Sequence, residues 1–300
     1  MNPVLTILLI LLTFCVIIGL WSLVEPFILD ITTIRLNPAS KCSKFDSIAG
    51  KDSTPGINTR NVQSRVFFFS DLHAEFCMIS SARLLKAIDR ANRDGGLDAV
   101  IFGGDIISWT PFRIMGIRYL RRISDGCQRL GIPFIGVSGN HDCHMTAKDI
   151  ASCGFINLET QPFAIPSRYN SRTTVFSGLD DSGRESRTWL QQPSTADGCT
   201  NVLVVHDPDA LLHFSSYKEG SQVFDYALAG HLHGGQLRLP FNFVFKVIRK
   251  DELPMTGVID GVFAYKGTSV FISRGIGCGT LPIRFLCRPE ASIVEIGSSE

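Results

Sequence analysis

The hydrophobic pattern changes character three times along the chain. From Val4 to Val24 (VLTILLILLTFCVIIGLWSLV) no position is charged; at 1.5 Å per residue such a helix spans about 31 Å, roughly the hydrocarbon thickness of a bilayer. Trp21 stands near its end, where interfacial aromatics are common. No Lys or Arg precedes Arg35, and Leu20-Trp21-Ser22-Leu23 is a poor cleavage site, so the pattern predicts an uncleaved membrane anchor over residues 1–24. Residues 25–64 then read as a juxtamembrane segment and linker, because Pro38 to Ser64 is polar and rich in turn formers.

From residue 65 to 300 the pattern predicts one α/β domain. Val66-Phe69, Ala99-Phe102 and Phe134-Val137 are β-branched and aromatic runs expected of buried strands. Between them, Ser81-Arg93 places Leu84, Leu85, Ile88 and Ala91 on one helical face, and Phe112-Leu130 does the same with Ile114, Ile117, Leu120 and Ile123. Strand and helix in alternation imply βαβ units and parallel pairing. After Lys148, strands at Thr174-Ser177, Val202-Val205, Tyr226-Ala229, Val270-Ser273 and Ser292-Ile296 follow with little helix between them. Two packed sheets flanked by helices are expected.

Composition narrows the function. The 300 residues carry 29 basic and 28 acidic side chains, a net charge of +1, so no global positive field draws the chain to nucleic acid. Nine cysteines without a CxxC pair read as reduced, mostly buried thiols. Basic residues follow the apolar segment and none precedes it, a charge excess that favours leaving the main body on the cytoplasmic side of the membrane.

The candidate chemistry gathers at strand ends. Asp71 and His73 follow the first domain strand, Gly104-Asp105 the second, and Gly139-Asn140-His141-Asp142 the third. His206 and Gly230-His231-Leu232-His233 end two later strands. Loops beyond the carboxyl ends of parallel strands form the binding crevice, so all five clusters converge. Carboxylate, imidazole and amide oxygen without thiolate suit manganese, iron, zinc or cobalt. His144 and His213 stand outside this set and read as surface or packing residues.

On these motifs the chain resembles the calcineurin-like metallophosphoesterases over roughly residues 65–298. The resemblance implies a four-layer α/β/β/α sandwich with two divalent metal ions, manganese first among the candidates. It implies that Asp71, His73 and His233 hold one ion, that Asn140, His206 and His231 hold the other, and that Asp105 bridges them. His141 would assist the leaving group, with Asp142 orienting it. The implied reaction is hydrolysis of a phosphodiester or phosphoanhydride by a metal-activated water.

Val24-Glu25-Pro26-Phe27-Ile28-Leu29, Ser273-Arg274-Gly275-Ile276-Gly277 and Pro282-Ile283-Arg284-Phe285 are similar to the membrane-associated bacterial branch of that family. That branch implies a lipid-linked phosphate substrate and a membrane partner. One of its types, the UDP-2,3-diacylglucosamine pyrophosphatases of lipid A synthesis, yields UMP and a lipid monosaccharide phosphate. The alternative is an envelope or broad-specificity phosphodiesterase or phosphatase with a non-lipid substrate. Pro240-Lys250 (PFNFVFKVIRK) reads equally as an acyl-binding lip or an ordinary buried strand, and the arginines of Phe112-Leu130 as a solvated helix face.

Overall fold

The computed structural model describes residues 3–39, 46–47, 62–168, 170–179, 198–213, 224–238, 245, 251–265 and 267–297. The segment 240–250 therefore lies outside the described residues except for Phe245, which is buried. The apolar N-terminal run is a helix, α1 (Pro3–Val24), whose large apolar side chains are exposed along its length. It is long and apolar enough to cross a membrane.

The first sheet has the order β1 (Asp30–Leu36), β13 (Glu290–Gly297), β3 (Val62–Phe69), β4 (Ala99–Gly103), β5 (Phe134–Val137) and β6 (Ile156–Asn157). Strands β3 to β6 are parallel, with α2 (Ser81–Arg93) and α3 (Arg113–Leu130) as crossovers. A short helix, α4 (Ala147–Cys153), joins β5 to β6. The second sheet runs β2 (Asp46–Ser47), β11 (Gly261–Tyr265), β12 (Thr268–Ile272), β10 (Tyr226–Ala229), β9 (Cys199–Val205), β8 (Thr173–Gly178) and β7 (Phe163–Pro166). Its centre, β8-β9-β10-β12, is parallel.

Three hydrophobic clusters correspond to the three interfaces of a four-layer sandwich. Phe67 and Phe69 join Leu84, Ile88, Leu120 and Ile123 beneath α2 and α3. Val66 and Phe68, on the opposite face of β3, meet Phe176, Val204 and Phe271 between the sheets. This two-sided burial explains the unbroken apolar run, since strand side chains alternate. Each such phenylalanine contributes about 1.5–3 kcal/mol by leaving water. The third cluster covers the outer face of the second sheet, where Ala227, Ala229, Val270 and Ile272 pack under Leu211 of α5 (Ala210–His213), Phe245 and Leu253.

One expected boundary moves. The segment read as a linker, 25–64, contributes β1, which pairs in parallel with β13 from Asp30↔Glu290 to Leu36↔Ile296. The half-polar sequence DITTIRL belongs to an edge strand with only Leu36 fully buried, so it lacks the apolar run that marks a central one. Glu290 accepts from Thr32 and Arg274, and Arg274 also reaches Asp30, tying β1 to the loop before β13.

Candidate metal centre

Each candidate side chain stands just past the carboxyl end of a parallel strand. Backbone bonds lace these loops together: Asp71 N–H donates to Gly104 O, His73 N–H to Asp105 O, and Gly230 N–H to His206 O. The amide of His231 donates to Asp71 Oδ1 at 2.8 Å, joining the two sheets. Among the described residues seven non-glycine residues have positive φ, and five of them are Asp71, His73, Asp105, His231 and His233. A left-handed conformation costs an L-residue roughly 1–2 kcal/mol, so five instances in one site mark a geometry that the surrounding fold imposes. Gly139 has a specific reason to be glycine, because a Cβ there would strike the backbone and carboxylate of Asp105.

The side chains converge as two clusters, Asp71 with His73 and His233, and Asp105 with His206 and His231; within each, the candidate donor atoms lie within 4.8 Å of one another. Asp105 also links them, with Oδ2 3.1 Å from His206 Nε2 and 3.3 Å from His73 Nε2. His73 Nε2 and His233 Nε2 are 3.1 Å apart, and His231 Nδ1 and His206 Nε2 3.3 Å apart. The opposite ring nitrogens are occupied: His73 Nδ1 by Ser108 Oγ at 2.9 Å, His206 Nδ1 by the Gly103 carbonyl at 2.8 Å, and His231 Nε2 by Asp251 Oδ1 at 3.3 Å. Such outer partners select the tautomer and aim the remaining nitrogen inward.

This donor set fits divalent cations. Asn140 Oδ1 is buried with no hydrogen-bond partner, a condition that costs about 1–3 kcal/mol unless something else satisfies the oxygen. A cation held among imidazoles, carboxylates and that amide oxygen would do so. Burial alone would raise the Asp105 carboxyl, but the charge and hydrogen bonds of His206 and His73 outweigh it and hold it well below the usual carboxylate range. A carboxylate ionised at all working pH values is what a bridging ligand requires.

His141 and Asp142 are brought to the same place but not in the expected relation. His141 is exposed at the mouth, with Nδ1 3.4 Å from the Ser108 carbonyl and its backbone N–H on Asp105 Oδ1. Asp142 does not orient its ring. The Asp142 carboxylate is buried and accepts the amides of Ile106 and Gly139, both at 2.9 Å, so it braces the loops that carry Asp105 and Asn140. Burial, reinforced by the charge of Asp105, pushes its carboxyl up to about 7. Ser108 and Asp251 escaped the sequence reading, because a hydroxyl or carboxylate outside any motif carries no local signal.

Residues 64–235 match the calcineurin-like phosphoesterase family. The chain belongs to this family. The calcineurin-like phosphoesterases use a pair of divalent metals, and the two clusters are the candidate places for them. The chain is accordingly a hydrolase. Similar proteins include the uncharacterized protein YpbG of Bacillus subtilis (strain 168), 29% identical over 243 residues that make up 78% of this chain and 82% of the relative. The uncharacterized metallophosphoesterase YkuE of the same organism is 27% identical over 245 residues, 78% and 79% of the two chains. Phosphodiesterase YaeI of Escherichia coli (strain K12) is 24% identical over 251 residues, 77% and 82% respectively.

Proposed function

We propose that this calcineurin-like phosphoesterase is a membrane-anchored phosphohydrolase that cleaves a phosphoanhydride or phosphodiester in a lipid-linked substrate, with its body on the cytoplasmic side of a bacterial inner membrane. The observation that carries the reading is the placement of Asp105 Oδ2 between His73 and His206, at 3.3 and 3.1 Å, joining two clusters into one centre. Asp71, His73 and His233 hold one ion; Asn140, His206 and His231 hold the other; Asp105 serves both. Two divalent ions bound there supply an activated water and positive charge for the phosphoryl oxygens. Manganese is the first candidate on the chemistry of the donors.

The chain's own residues do the rest. Ser108, Asp251 and the Gly103 carbonyl hold the three imidazoles in their tautomers. His141 sits at the mouth with a free edge and delivers a proton to the departing oxygen. The membrane-length α1 supports a lipid substrate, and UDP-2,3-diacylglucosamine, giving UMP and a lipid monosaccharide phosphate, is the specific candidate. A second reading, a phosphodiesterase with a non-lipid substrate, draws on the similarity to the E. coli protein named a phosphodiesterase.

One assay separates them. Detergent-solubilised protein with Mn²⁺ is given UDP-2,3-diacylglucosamine or a bis-aryl phosphodiester, with Asp105→Ala as control. UMP release by the unmodified chain alone supports the lipid-linked reading. Turnover of the aryl diester without UMP keeps the phosphohydrolase and discards that substrate.

A further inference from the structure

Between α1 and the metal centre the surface carries an apolar rim. It starts where α1 ends: Phe27, in the turn that follows, is 52% exposed. Leu286 is 61% exposed and stands at φ 54°, a left-handed conformation unfavourable for leucine, with its N–H held by Glu25 Oε2 at 2.9 Å. Ile283 and Phe285 line an apolar groove of about 540 Å³ against Leu20 and Leu23 of α1. The rim continues through Leu281, 56% exposed, whose carbonyl is held by Gln236 Nε2. Gln236 Oε1 in turn takes the amide of Gly279.

From Gly279 the path reaches the site itself. Ser108 Oγ donates to the Gly279 carbonyl at 2.8 Å and also contacts His73 Nδ1. On the far side of Ser108 are Trp109, 51% exposed, and Phe112, 39% exposed, with ring centroids 6.3 Å apart. Glu75 Oε1 accepts the amides of both Ser108 and Trp109, so the tryptophan is presented on a fixed turn. Exposed Arg113, Arg118 and Arg122 follow on α3. Water gains nothing from so many apolar tips on braced backbone. An anionic bilayer surface accommodates both the apolar tips and the arginines.

We propose that Phe27, Leu286, Leu281, Trp109 and Phe112 insert into the interface of the same leaflet in which α1 ends, holding the metal centre at the depth of lipid headgroups. The occupant is the bilayer, because the rim is continuous with the end of a membrane-length helix. The substrate class that follows is an amphiphile whose phosphate is presented sideways from the membrane; that half rests on the phosphohydrolase reading above.

The test uses the full chain in vesicles of three parts phosphatidylcholine to one part phosphatidylglycerol, with Trp21→Phe and Trp189→Phe leaving Trp109 as the single reporter. Insertion predicts a blue-shifted emission that phosphatidylcholine brominated near the headgroup end of its chains quenches. Emission typical of water, unchanged by bromine, overturns the proposal. In the second arm, Phe112→Ser with Leu281→Ser lowers turnover of a vesicle-borne lipid phosphodiester by about tenfold, the scale set by losing two apolar side chains from the interface. Turnover of a water-soluble bis-aryl phosphodiester stays unchanged, and an equal loss on both substrates also overturns the proposal. Quenching without turnover of either substrate sustains the rim and removes the phosphohydrolase reading. Turnover without quenching does the reverse.

Discussion

The carboxylate of Glu25 accepts the backbone N–H of Cys287 at 2.5 Å. The Cys287 thiol in turn donates to the carbonyl of His233 at 3.1 Å. One buried glutamate at the foot of α1 is thus a single residue removed from the backbone of a candidate metal ligand. Its other oxygen takes the amide of Leu286, and the adjoining Arg284 N–H bonds Ser22 O at the end of α1. Arg284 is fully buried and donates to the carbonyls of Gly275 and Cys287, both at 3.1 Å, holding the loop that packs against Asp71.

Glu25→Gln tests that connection. An amide offers one acceptor where two N–H groups need one each, so a buried donor is left unsatisfied, at about 1–3 kcal/mol. The variant is expected to melt at a lower temperature in detergent and to bind Mn²⁺ more weakly. A melting curve and metal isotherm superimposable on those of the unmodified chain would remove Glu25 from this role.

Metal loading separates the two shells of the site. Asp105→Ala should leave the purified chain with at most one ion, read by elemental analysis. Asp251→Ala removes the group that faces His231 Nε2 at 3.3 Å, yet should keep both ions at saturating Mn²⁺ with affinity about 10–100-fold weaker. Undiminished affinity would show that Asp251 is not needed to aim His231.

His141 carries a pH signature. Crowding by protein atoms at the mouth lowers its pKa from the ordinary imidazole value, against the opposing pull of Asp105. With Nδ1 on the Ser108 carbonyl, Nε2 has a proton to give only in the imidazolium. The donor population therefore falls as pH rises through a value below about 6.5. Turnover of substrates with alkyl leaving groups should fall over that range, while aryl substrates, which need no proton, stay flat. His141→Gln should erase the difference, keep both metals and lower turnover of alkyl substrates by about 10²–10⁴-fold. Loss of metal in this variant would make His141 a ligand instead.

Much of the fold is legible in the residue types alone. Hydrolytic metal chemistry demands particular donors, and as candidates Asp71, His73, Asp105, Asn140, His206, His231 and His233 stand out because they punctuate apolar strands; the structure gathers six of them, all but Asn140, into two clusters. The alternation of Val66, Phe67, Phe68 and Phe69 onto two buried faces is likewise a property of residue type. What stayed hidden depends on long-range geometry. The family resemblance implies that Asp142 orients its neighbour His141, whereas burial turns its oxygens toward Ile106 and Gly139. Strand β1 was hidden by its own polarity, since an edge strand needs little apolar surface. Nothing in the local sequence marks Leu286 as left-handed, and the Glu25 carboxylate that holds its N–H is distant along the chain.

Thiol reactivity offers an independent check on packing. The eight cysteines among the described residues are free. Burial pushes the thiols of Cys77, Cys127 and Cys153 up to about 12, leaving about one thiolate in ten thousand at pH 8. Cys143 is exposed. An aromatic disulfide reagent should label Cys143 quickly and the other three only after denaturation. Labelling of Cys127 at the rate of Cys143 would mean that the helical layer opens readily.

The short distance between α1 and β1 has a further consequence. Only residues 25–29 separate the helix from a strand hydrogen-bonded along its whole length to β13. With no slack in that connection, an enzyme anchored this way cannot reach into the surrounding solution like a tethered domain. Under the membrane anchoring and lipid-linked substrate proposed above, its search would be two-dimensional: encounters would depend on lateral diffusion within one leaflet, and the governing variable would be the mole fraction of substrate among the lipids rather than its bulk concentration. Diluting the bilayer with inert lipid would then slow such an enzyme even when the amounts of protein and substrate in the tube are unchanged.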